Sequence, residues 1–297
     1  MATRTRTKTV AFFEVTTLSG DPLPKVLPWQ RWLRDMEGSA PSALAHTIRG
    51  NQHYGNIFGW EGTAHLVLAR GREDVPASLD LKTGEIIDAQ TQANRPWVEV
   101  SIAHFLPHSN RLGYVLGSQS APRIGSLADW LNAIVFEDPI DIKPVVSGKL
   151  VQRMQNASAE ARLVKLRLGP DQLAAIDQSA GLYSAAQAIG RDLGGGVQVE
   201  VIIRIEGRAD RSDADTRRRL ADAGRQLLGR NLERALVELV DLDDRGHAER
   251  EMVDLVRHRL ARKEKVSVID DDGKAVRIPS AITAIYRAAD NLREELS

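Results

Sequence analysis

The chain has 297 residues, 42% of them hydrophobic, with 40 basic and 40 acidic side chains and no cysteine. This length suits about two domains and can bury a sizeable core without covalent staples. The lack of cysteine excludes disulfides, thiolate nucleophiles and Cys-based metal centres. A net charge of zero removes whole-molecule steering toward nucleic acid, so any such role needs a local patch.

In chain order, residues 1–8 are basic and polar (Arg4, Arg6, Lys8), and residues 9–15 are rich in β-formers and predict an opening strand. That apolar run is too short for a signal peptide and is broken by Glu14, and no stretch reaches the ~20 apolar residues of a membrane helix. A cytoplasmic protein without membrane contact is expected. Pro28 opens a helix carrying Trp29, Trp32, Leu33 and Met36. Residues 54–60 and 64–69 flank Glu61-Gly62, a hairpin signal, and 79–81 with 85–87 around Lys82-Thr83-Gly84 are a second. Residues 98–106 and 111–116 predict an adjacent strand pair, Ser126 an N-cap, and 140–146 a strand.

The stretch 147–160 is polar and weakly patterned and serves as the domain boundary. Residues 162–168 predict a strand, 169–193 a helix closed by Gly194-Gly195-Gly196, and 197–205 the strongest strand of the chain. Asp213 and Asp215 start a helix bearing Arg217, Arg218 and Arg219. Residues 235–240 predict a strand and 252–260 a helix. Residues 266–269 and 276–278 flank Asp270-Asp271-Asp272-Gly273 as a hairpin before a final helix from Pro279. Hairpin signals outnumber strand–helix–strand alternation. The expected fold is therefore α+β, with mostly antiparallel hairpin-connected strands and flanking helices in two lobes, a strand-rich 1–155 and an α+β 156–297.

Two constellations could carry chemistry. The strand 197–205 ends in Glu206-Gly207, and the next strand ends in Asp241-Leu242-Asp243-Asp244-Arg245-Gly246. A strand-end glutamate with glycine and an Asp-x-Asp-x-x-Gly resembles the Toprim domain of primases, topoisomerases and small ribonucleases, over 197–259 only. The resemblance implies that Glu206, Asp241 and Asp243 hold magnesium in a phosphodiesterase or nuclease. The same residue types also make ordinary solvated turns, and one helix fills a gap where the family places a further strand and helix. The second constellation is basic. Arg257, Arg259, Arg262, Lys263 and Lys265 form the densest positive run, and with Arg4, Arg6, Lys8 and residues 217–219 they are candidates for phosphate contact. The competing reading is solvated helix faces.

His104 and His108 have metal-ligand spacing, but Pro107 opposes a helix between them, while His46, His53 and His65 fall in separate elements. His247, among acids, could act as a base. The five tryptophans, all in the first half, suit a core. Phosphate-loop, dinucleotide-fingerprint, nucleophile-elbow and zincin motifs do not occur, so no complete catalytic set assembles and no cofactor is expected beyond magnesium in the nuclease alternative. The opening residues 8–15, the middle Gly117-Ser118-Gln119-Ser120-Ala121-Pro122 and the acidic tail resemble uncharacterised bacterial proteins of mobile-element or phage-related gene neighbourhoods. That resemblance implies phage defence and no known chemistry. The expected function is a non-catalytic interaction module with a nucleic-acid or protein partner.

Overall fold

The computed structural model describes residues 4–72, 77–79, 86–88, 97–155, 160–169, 182–193, 197–205, 214–228, 230, 232, 234–242, 248–256, 258–269 and 277–296. The first part of the chain gives β1 (Arg4–Thr17), α1 (Trp29–Met36), β2 (Ala45–Ile48), β3 (Asn51–Trp60), β4 (Thr63–Gly71), β5 (Ala77–Leu79), β6 (Ile86–Asp88), β7 (Val98–Phe105) and β8 (Arg111–Leu116). There follow α2 (Ile124–Ile134), β9 (Ile140–Pro144), α3 (Gly148–Gln155), β10 (Glu160–Leu168), α4 (Leu182–Asp192) and β11 (Val199–Arg204). The chain continues through α5 (Ala214–Arg225), β12 (Arg234–Leu242), β13 (Ala248–Asp254), β14 (Ala261–Ile269), α6 (Arg277–Asn291) and α7 (Arg293–Leu296). The fold is α+β with antiparallel sheets, as the hairpin signals predict. No described helix is long and apolar enough to cross a membrane.

Two compact units form, and they do not follow the two halves of the chain. One takes residues 1–11, 23–142 and 261–291, the other 12–22, 143–260 and 292–297. Residues 261–291 thus belong with the first part of the chain, through pairing of β14 with β1.

The first unit is organised on an eight-stranded sheet, β14-β1-β8-β7-β4-β3-β2, with β9 also pairing β1. The expected hairpins are present. Glu61 and Gly62 both have positive φ (49° and 74°), the conformation a two-residue turn demands between strands of native twist. The segments β5 and β6 pair, and their connecting residues lie outside the described ones. Successive strand residues point to opposite faces, and on β7 this separates two helical layers. Phe105 stacks on Trp29 of α1 at 4.1 Å, while its neighbour His104 meets Tyr286 of α6 at 4.8 Å. Helices therefore cover both faces of the central strands, whose residues Leu66, Val67, Leu68, Ile102 and Ala103 are all buried. On the α1 side, Trp130 of α2 is fully buried, lies over Gly55 of β3 and donates its indole N–H to the Leu44 carbonyl at 2.9 Å.

The second unit is built on a four-stranded antiparallel sheet, β11-β10-β12-β13. Its core joins Val164, Leu166 and Leu168 of β10 with Val237, Leu239 and Val253, and Gly224 of α5 packs on Val164 and Val237. Arg217 points inward from α5 and pairs with the buried Glu160. On the sheet's other side Glu200 is held by Lys165 (2.9 Å) and Arg167 (2.8 Å).

Four expectations fail locally. The stretch 148–155, weakly patterned in sequence, is a helix, because Leu150 and Met154, four residues apart, bury on one side. Residues 252–254 belong to strand β13, not a helix. Val253 and Leu255 are buried and Met252 is exposed, a period of two. Residues 277–278 open α6 and are not the second arm of a hairpin, since β14 finds its partner in β1 instead. Ser126 lies inside the first turn of α2, with Arg123 at the cap position.

Candidate functional site

The two basic runs, about 250 residues apart in sequence, are neighbouring strands. The register pairs Thr7 with Lys265, Lys8 with Glu264, Thr9 with Lys263 and Val10 with Arg262. Alternation sorts these residues by face. One face carries Arg4, Arg6, Lys8, Arg262 and Glu264, and Val266 is buried there. Its charges are partly compensated, with Arg262 bonding Glu264 at 3.0 Å. Burial and the cations Arg277 and Arg6 lower the Lys8 pKa, and Lys8 donates to the Gly117 carbonyl at 2.8 Å. The other face carries Thr5, Thr7, Thr9, Lys263 and Lys265, all exposed. In this ladder that face has two ammonium groups, four hydroxyls (with Ser267, opposite Thr5) and no acid, and neither lysine is in an ion pair among the described residues.

Not every candidate cation shares that surface. Arg259 is largely buried and donates to the carbonyls of Arg230 (3.0 Å) and Leu232 (2.8 Å), and desolvation lowers its pKa to about 10. It ties the turn after β13 to the end of α5's connection and is not available for phosphate. Arg257 lies outside the described residues. Arg217 is committed to Glu160, and Arg218 pairs with Asp215 at 3.6 Å.

For the acidic constellation, Glu206 and Asp243 lie outside the described residues, as does His247. Asp241 is in β12, where its backbone pairs with Glu249 in the β12–β13 hairpin. Strand β10 lies between β11 and β12. The two strands are thus two ladder spacings apart sideways, about 9.6 Å, and Arg204 at the end of β11 lies level with Glu238, four residues before the end of β12. Among the described residues, no group of three or more His, Asp or Glu could hold a metal ion.

No family model, no curated protein and no solved structure matches this chain.

The structure also assembles histidines that sequence spacing keeps apart. His46 and His53 are direct partners on β2 and β3, and Arg70 of β4 is the next residue in that row. His53 is buried and donates from Nδ1 to the Asn51 carbonyl at 3.0 Å. Desolvation lowers its pKa. Asp129 of α2 acts on both imidazoles and reaches Arg49 at 3.7 Å; partial burial raises its pKa.

His65 and His104 lie one step beyond the Leu66–Ala103 pair and face one another with ring centroids 4.9 Å apart. They are 0% and 4% exposed. The Tyr286 hydroxyl shares a 3.2 Å hydrogen bond with His65 Nε2, and Tyr286 meets His104 edge-on. Neither Nδ1 has a hydrogen bond of ordinary geometry, although the Trp60 carbonyl is close enough to favour the charged form of His65. Burial lowers both pKa values, that of His104 to about 3, with His65 a further, smaller cause there. Both rings are therefore neutral at physiological pH. His108, by contrast, sits in the β7–β8 turn at φ 59°. Sequence reasoning finds His104 by the wrong partner. Its true partner is set by antiparallel register, which no local spacing encodes.

Proposed function

We propose that this chain is a non-catalytic interaction module that contacts nucleic-acid phosphates through the exposed Lys263/Lys265 face of the β1–β14 ladder. The observation that carries the reading is the pairing of the two basic runs as adjacent strands. It concentrates ammonium and hydroxyl donors on one open face of a chain whose net charge is zero. Residues 4–11 and 261–269 contain no aromatic ring, so the face offers no stacking platform for bases. The expected readout is backbone-directed and indifferent to sequence. Phage defence is the setting that the resemblance to phage-neighbourhood proteins suggests.

The test is fluorescence anisotropy of the full chain with labelled 20-base-pair and 20-nucleotide probes, from 25 to about 200 mM salt. Each phosphate neutralised on duplex contributes a slope of about −0.9 in log K against log salt. Lys263→Ala with Lys265→Ala is expected to lower the slope by about 2 on that scale. No binding of either probe at the lowest salt, or a slope that the double variant leaves unchanged, overturns the assignment.

A further inference from the structure

The His65–His104 pair is a buried basic cluster with an unusual set of neighbours. Within the sheet, His65 is flanked by Phe58 of β3, and His104 faces Gly113 of β8. Helix α6 closes over the pair from the side with Tyr286 and is otherwise seated by small and aliphatic residues, Ala281, Ile282, Ala284, Ile285 and Ala288. The polar groups facing the cluster are few. Strand β4 gives His65 and the Thr63 hydroxyl, which bonds Tyr286. Strand β7 gives His104, β3 gives the Trp60 carbonyl, and α6 gives Tyr286. The nearest carboxylate influence is Glu61, felt by Tyr286, while Arg287 and Asp290 of α6 are exposed. Among the described residues no carboxylate acts on either imidazole.

A charged imidazole here has no counter-ion, and two of them would repel at 4.9 Å between centroids. Neither Nδ1 has a hydrogen bond of ordinary geometry to spread the charge, and the Trp60 carbonyl acts on His65 alone. The sheet strands are held by ladders on both sides, whereas α6 is held by side-chain packing, the Tyr286 bond and one hydrogen bond near its start, from the Ser267 amide of β14 to the Ser280 hydroxyl at 2.8 Å. Hydration of the pair is therefore cheapest by lifting α6.

We propose that His65 and His104 form an acid-triggered latch: proton uptake by the pair releases helix α6 from the sheet while the rest of the first unit stays folded. The inference is independent of the nucleic-acid reading.

The measurement is hydrogen exchange of the full chain at pH 7.5, 6 and 5, converted to opening constants after correction for intrinsic exchange. Opening of α6 is expected to rise roughly tenfold per pH unit below the ordinary histidine value if one imidazole is taken up, and up to about a hundredfold if both are. Helix α2, on the other face of the same sheet, is the internal control and should stay protected. His65→Leu with His104→Leu should flatten the response, and Tyr286→Phe should keep it while raising the baseline. Should the leucine variants fail to fold, imidazole NMR of the wild-type chain decides. The latch requires that neither ring titrate near pH 6.5 in the closed protein. Flat α6 protection down to pH 5, α2 opening in step with α6, or ordinary titration of either ring each overturns the proposal.

Discussion

The two ends of the eight-stranded sheet obey different chemical rules. In the middle, helices cover both faces of β4 and β7, and the polar side chains there are kept neutral or hydrogen-bonded: His65, His104 and Ser101, whose hydroxyl donates to the Pro122 carbonyl at 2.5 Å. At the β1–β14 margin the outer face is uncovered, and it carries lysines and threonines. The same ladder geometry thus yields a dry, uncharged centre and a wet, cationic edge, and the helices decide which. Charge follows coverage because an unpaired charge is tolerable only where water reaches it.

The largest expected effect strikes the covered centre. A Cβ at Gly55 would lie 2.2 Å from Trp130, an atom pair that cannot coexist. Trp130 is fully buried and cannot swing aside. Gly55→Ala should cost about 1–3 kcal/mol or more by overpacking, and Trp130→Ala about 3–5 kcal/mol by cavity formation. Guanidinium denaturation would show both. If Gly55→Ala leaves the midpoint unchanged, α2 is not pressed on β3 as described.

The second effect tests the neutrality of that centre. The folded-state pKa of His104 is lowered to about 3 and that of His65 is also lowered, from an ordinary value near 6.5. Between these values the unfolded chain binds more protons than the folded one. Stability is complete above about pH 6.5 and declines as pH falls below it, with a slope near 1.4 kcal/mol per unit from His104 down to about pH 3 and a further contribution from His65 until its own lowered value is reached. Denaturation midpoints at pH 8, 6.5 and 5 check this. Equal midpoints at pH 8 and 5 would mean that the pair is charged in the native state.

How much of this was legible in the sequence depends on whether the partner is near in the chain. The Glu61-Gly62 hairpin and the helix from Pro28 are local devices, and both are present. The β1–β14 pairing joins residues 4–11 to 261–269, and no local signal announces it. Residues 276–278 are apolar enough to suggest a returning strand beside the Asp-Gly turn signal, yet β1 offered β14 a longer partner, and Ile278 joined the helix. Arg259 looked like a surface cation because its neighbours are basic. Its burial follows from two carbonyls, at 230 and 232, that need a donor. The histidine pair was missed for the same reason as the ladder, since cross-strand register across β4 and β7 is a tertiary fact.

The smallest expected effect on stability is at the wet edge, and it sharpens the comparison most. Lys263 and Lys265 are exposed and make no ion pair among the described residues, so Lys263→Ala with Lys265→Ala should shift folding stability by no more than about 0.5 kcal/mol each. Their second physical role is protective. Among the described residues β14 pairs only with β1 and, apart from the Ser267 amide, which donates to the Ser280 hydroxyl, its outer backbone edge has no strand partner; lysines on such an edge discourage pairing. The double variant should therefore keep its denaturation midpoint and gain concentration-dependent light scattering. Loss of nucleic-acid binding with no new self-association would assign the lysines to a partner. New self-association with unchanged binding would assign them to edge protection alone. A large drop in stability would contradict both, because it would require these side chains to be buried, and the margin would then follow the rule of the covered centre.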